Sequence, residues 1–68
     1  MKEFKDILRE KRNALGLSQQ ELADELCLYA ARICDWEKGK CFPNFCSLLA
    51  LADVLKCSVD ELMGRKTK

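Results

Sequence analysis

An all-α domain of five short helices is the fold this sequence predicts, and three observations predict it. Apolar residues recur at spacings of three, four and seven instead of alternating as they would on strands. Two Ser-x-x-Glu boxes, Ser18 to Glu21 and Ser58 to Glu61, mark helix starts where a side-chain oxygen and a backbone N–H satisfy each other reciprocally. Gly16, Gly39 and Gly64 each follow a periodic segment, at the place where a left-handed residue ends a helix.

Helix 1 is predicted from Lys2 to Leu15, with Phe4, Ile7, Leu8, Ala14 and Leu15 as its apolar positions and Gly16 as its stop. Leu17 is placed to fold back over the last turn as the hydrophobic contact of that C-cap. Helix 2 begins at the Ser18 capping box and turns Leu22, Ala23 and Leu26 inward; Ala23 is small enough for a second helix to cross closely. A turn at Cys27-Leu28 leads into helix 3, from about Tyr29 to Lys38. At ~100° per residue, Ile33 centres its buried face, with Tyr29, Trp36 and Glu37 close by. Ala31, Asp35 and Lys38 fall on the opposite face, flanked by Arg32 and Cys34.

After a Lys40 to Pro43 loop, Asn44 caps helix 4, whose Phe45, Leu48, Leu49, Leu51, Ala52 and Leu55 are apolar on two sides and make it the central post. Helix 5 runs from Val59 to about Met63 and packs Val59 and Leu62 back onto helix 4. The reading is one domain over residues 1–64, with a basic tail from Arg65 to Lys68.

Composition narrows the function classes. The chain has 68 residues, and a domain of that size buries only about 60% of its unfolded surface, which leaves no room for a large catalytic cleft. No stretch approaches the ~20 apolar residues of a membrane span, and the charged amino-terminal segment differs from an export signal. A cytoplasmic protein is expected. Its net charge of +1 means that any attraction to phosphate must come from local patches. Five cysteines without a Cys-x-x-Cys pair, in a chain with no histidine, argue for reduced thiols and no metal site. Cys57 reads as a small apolar packer, and no cofactor or small-molecule substrate is implied.

The stretch from Gly16 to Pro43 holds two short helices, a tight turn and a basic Gly-Lys-x-x-Pro loop, an arrangement that presents a helix to the DNA major groove. Leu8-Arg9 and Arg12, Gly16-Leu17-Ser18-Gln19 with Glu21-Leu22-Ala23, Ile33 with Trp36-Glu37, and Gly39-Lys40 with Pro43 stand in a fixed register. Leu48, Ala52, Leu55 and Ser58 to Leu62 continue it. This pattern resembles the lambda-repressor-like helix-turn-helix family, of the phage repressor and Cro type, from about Phe4 to Met63.

The resemblance implies that Tyr29 to Lys38 is a recognition helix on double-stranded DNA and that the protein is a repressor-like transcription regulator working as a homodimer on a two-fold site. Ala30, Ala31 and Asp35 then match the usual base-reading positions, where relatives often carry long hydrogen-bonding side chains. Alanine can only touch a thymine methyl, and Asp35 can only accept from a cytosine amino group. Arg32 lies where it could reach a guanine or settle on a phosphate; Tyr29 is expected to pack half-buried with its hydroxyl toward a phosphate. Gln19 matches a glutamine that braces phosphate and recognition helix together, at a helix start that itself attracts anions. Lys38 and Lys40 flank Gly39 as phosphate contacts. The resemblance also implies a structural ion pair between Arg12 and Glu37.

Two positions depart from the family. Cys27 and Lys56 stand where it commonly has glycine in a left-handed conformation. The alanine-bearing face and the low net charge keep open an alternative in which the same fold is a protein-interaction module or antitoxin-like partner. Cys34 and Cys41 lie where oxidation would obstruct docking, and Asp35 beside Cys34 disfavours the reactive thiolate. Helix 5, Phe42 and Phe45 are candidate dimer contacts.

Overall fold

The structure, a computed structural model, describes residues 3–64; Lys2 and the basic tail of Arg65 to Lys68 lie outside them. Five helices follow in order: α1 (Phe4–Ala14), α2 (Gln19–Glu25), α3 (Ala30–Lys38), α4 (Phe45–Leu55) and α5 (Val59–Leu62). Each gives one large, fully buried side chain to a common core, respectively Leu8, Leu22, Ile33, Leu51 and Leu62. Burying a side chain of this kind stabilises by roughly 1.5–3 kcal/mol, so no helix can leave the cluster without exposing its own anchor. Phe4, Ala23, Trp36, Leu48, Ala52 and Leu55 complete the core, with Leu17, Leu26, Leu28 and Cys57 among the residues packed against it.

Local signals set the helix ends. The Ser18 and Ser58 capping boxes both form, and the Asn44 carboxamide oxygen accepts from the Ser47 N–H at 2.8 Å. Past α1, Gly16 is left-handed at φ 72°, the Leu17 N–H reaches the Arg12 carbonyl at 3.1 Å, and the Gly16 N–H reaches that of Asn13 at 3.0 Å. This pair of bonds satisfies carbonyls that would otherwise be orphaned at a helix end. The same geometry follows α2 around Cys27 (φ 59°) and closes α4 at Lys56 (φ 57°), so both departures from glycine sit in strained left-handed backbone.

Three expectations need correction. Tyr29 does not pack half-buried: it is 86% exposed, because it is the N-cap of α3 with extended backbone (φ −94°, ψ 148°), and the helical angle that aligned it with Ile33 does not apply outside the helix. Helix α4 is covered on one side only, leaving Phe45 and Leu49 67% and 48% exposed, because α5 is too short to wrap its second face. Ala14 and Leu15 are exposed as well, since α1 turns its inward stripe away at its last turn.

Candidate nucleic-acid interface

Helix α3 packs against α2 and α1, and Ala23, fully buried on α2, lets the helices approach closely. Ile33 and Trp36 anchor its inner face; at its foot Glu37 is the one buried charged residue among those described. That carboxylate is fully partnered. Arg12 of α1 donates through Nε to Oε2 at 2.6 Å and through a terminal nitrogen to Oε1 at 3.1 Å, while Gln19 Nε2 of α2 donates to Oε1 at 3.1 Å. The remaining Arg12 nitrogen donates to the Leu17 carbonyl at 2.8 Å. One cluster thus ties the starts and ends of three helices together, with Arg12 and Glu37 side chains only 12% and 6% exposed.

Hydrogen bonding to Glu37 raises the Arg12 guanidinium above its usual range, outweighing the burial that lowers it, and the coulombic attraction of the same carboxylate adds to the effect. Removing either partner would strand a poorly solvated charge. Elsewhere, burial pushes the Cys57 thiol up, with Lys11 lowering it and Glu61 raising it again. Cys57 is therefore poorly disposed to form a thiolate. Among the described residues, no group of three or more His, Cys, Asp or Glu comes together as a metal-binding set, and no helix is long and apolar enough to cross a membrane.

The outer side of α3 carries exposed Ala31, Arg32 and Lys38, with Ala30 and Asp35 half-buried beside them. Tyr29 stands out at its start and Lys40 is exposed just beyond its end. No side chain caps the first turn of α3, in contrast to α2, α4 and α5. The end is sharply defined: Gly39 is left-handed at φ 80° and the Lys40 N–H returns to the Asp35 carbonyl at 2.9 Å. The loop then packs back onto α1, with the Phe42 and Phe4 rings 4.8 Å apart and Pro43 buried. Tyr29, Ala31, Arg32, Lys38 and Lys40 are thus exposed, Ala30 and Asp35 half-buried, and Gln19 half-buried at the start of α2. Sequence reasoning did not find the Leu17 carbonyl as a partner of Arg12, because a backbone acceptor leaves no residue-type signal.

Comparisons with known proteins agree with this geometry. The helix-turn-helix family model matches residues 8–62. The chain is 34% identical over 62 residues to the HTH-type transcriptional activator BcrR of Enterococcus faecalis, covering 91% of this chain and 30% of that protein. It is likewise 34% identical over 62 residues to the cryptic phage CTXphi transcriptional repressor RstR of Vibrio cholerae, covering 91% of this chain and 55% of that one. The chain thus spans about a third to a half of the length of these relatives. Among solved structures, the P22 c2 repressor protein in complex with a synthetic operator superimposes with a TM-score of 0.91 at 29% identity, covering 97% of this chain and 100% of that one. The restriction-modification controller protein C.AhdI from Aeromonas hydrophila gives 0.82 at 35% identity over 88% of this chain and 87% of that one. Five helices in this order, the locked α2–α3 pair and these matches lead to one conclusion: the chain belongs to the lambda-repressor-like helix-turn-helix family.

Proposed function

We propose that this domain binds double-stranded DNA sequence-specifically and regulates transcription in the cytoplasm of a bacterium or phage host, acting by occupancy of a site and not by catalysis. The observation that carries the reading is the two-sidedness of α3: its inner face is fixed by Ile33, Trp36 and the Glu37 cluster, while Ala31, Arg32 and Lys38 project outward. A rod held rigidly from behind with a free face is what major-groove reading requires. Ala30, Ala31, Arg32 and Asp35 are assigned to base edges, and Tyr29, Gln19, Lys38 and Lys40 to the flanking phosphates. A relative of the same fold, the P22 c2 repressor, is known in complex with a synthetic operator, which supports a DNA-binding role for the domain.

Neutralising about two phosphates through Lys38 and Lys40 makes affinity for a duplex selected from a random pool fall about tenfold between ~50 and ~200 mM salt. Binding that ignores salt would instead favour a protein-interaction role.

The working unit on DNA is a pair of copies meeting through Phe42, Phe45 and Leu49, which are 52%, 67% and 48% exposed. Together they offer on the order of 300 Å² of apolar surface, against the roughly 800 Å² per partner of a stable interface. Copies therefore remain monomeric in free solution and pair on adjacent half-sites, where tethering raises their effective concentration. Sedimentation should give a monomer without DNA, and Phe45→Lys should abolish cooperative filling of two half-sites while leaving single half-site affinity intact.

A further inference from the structure

Helix α3 and its cap Tyr29 carry no carboxamide. In the major groove adenine presents one acceptor and one donor, and a carboxamide, which has one of each, is the side chain that matches both. The chain holds four carboxamides: Asn13, Gln19, Gln20 and Asn44. Three are engaged within the fold. Gln19 Nε2 donates to Glu37 at 3.1 Å, Gln20 Nε2 donates to Asp24 at 2.8 Å, and Asn44 caps α4 through the Ser47 N–H at 2.8 Å. Asn13 is exposed near the end of α1 and belongs to neither α2 nor α3.

The other reading chemistries are present. Arg32 is an exposed fork of donors suited to the two acceptors of guanine, Asp35 is an acceptor suited to the cytosine amino group, and exposed Ala31 presents a methyl group beside half-buried Ala30. Tyr29 adds one hydroxyl, which can make a single bond to adenine but not the pair that identifies it.

We propose that this domain identifies A·T pairs through the thymine C5-methyl group, received by Ala31 and Ala30, with no contribution from the adenine edge. The proposal rests on the DNA-binding reading above. It sets the chemistry of the half-site: guanine opposite Arg32 and thymine methyls opposite the alanine pair. Discrimination at the A·T steps is then weaker than a carboxamide provides, since one apolar contact replaces two directed bonds.

The test uses the wild-type chain and a duplex selected from a random pool, with two chemical replacements. Deoxyuridine for thymidine deletes only the methyl group, and 7-deazaadenine for adenine deletes only the N7 acceptor. Each contacted thymine replaced should weaken binding about fourfold, the equivalent of one buried methyl, while 7-deazaadenine changes affinity less than twofold. Loss of affinity with 7-deazaadenine, or indifference to deoxyuridine, would overturn the proposal. Ala31→Gln provides the converse measurement: the site is exposed, so the fold is kept, and the variant should acquire the 7-deazaadenine sensitivity that the wild type lacks. A variant that stays insensitive would mean that Ala31 does not face the bases, and would also overturn the proposal. Should no duplex be bound in a salt-dependent way, the DNA-binding reading itself fails, a result distinct from a complex that forms but disregards the methyl groups.

Discussion

Helices α2 and α3 are separated by four residues, Leu26 to Tyr29, yet they are held by different means. The start of α2 is closed by its own sequence, the Ser18 hydroxyl accepting from the Glu21 N–H at 3.0 Å while the Glu21 carboxylate accepts from the Ser18 N–H at 2.8 Å. The start of α3 has Tyr29 in the capping position and no side-chain acceptor. What holds α3 is tertiary: Ile33 and Trp36 in the core, and Glu37 bonded to two other helices. The difference teaches that the start of α2 is encoded locally, whereas α3 is clamped from behind. Its first-turn N–H groups are left without a side-chain competitor, as an anion-facing helix end requires.

Breaking the clamp should have the largest effect. Glu37→Ala leaves the Arg12 guanidinium, hydrogen-bonded and largely buried, without its carboxylate; a loss of about 3 kcal/mol is expected, lowering the melting temperature by more than roughly 10 °C in a domain of this size. Circular dichroism melts would show it, and DNA affinity should fall only where unfolding sets in. Unchanged melting with lost affinity would mean that Glu37 touches DNA.

Removing the local signal is the counterpart on α2. Ser18→Ala should cost about 1 kcal/mol, with faster amide hydrogen exchange confined to the first turn of α2. Unchanged exchange in that turn would show that the capping box does not hold the start of α2.

The turn between the helices can be improved. Cys27→Gly removes a side chain from left-handed backbone and should raise stability by up to about 1 kcal/mol, read as a higher urea midpoint. Giving α3 a cap of its own is the smallest change. Tyr29→Ser should add roughly 0.5 kcal/mol, because little packing is lost from so exposed a residue, and should weaken DNA binding at low salt. A stabilised variant with undiminished affinity would remove Tyr29 from the interface.

Much of the architecture was readable in advance wherever one residue answers another within four positions. The capping boxes at Ser18 and Ser58, the Asn44 cap and the glycine stop at Gly16 are of this kind. Tyr29 was misjudged because helical periodicity was carried one residue past the helix, into extended backbone. Leu49 was misjudged because apolar character says that a residue can be buried without saying that a neighbour reaches it. At the interface, the residue types of the outer side of α3 were legible, whereas the engagement of Gln20 with Asp24 was not, since a glutamine on a helix start has many possible partners.

The sequence by itself determined where α2, α4 and α5 start and that Ile33, Trp36 and Glu37 face inward on α3, because those choices rest on short-range hydrogen bonds and on the 3.6-residue repeat. Only the tertiary structure decided that Glu37 gathers Arg12 and Gln19 from two other helices and that the second face of α4 stays open. Contacts between residues 18 and 25 positions apart depend on how five helices settle around one core, and no local pattern records that packing.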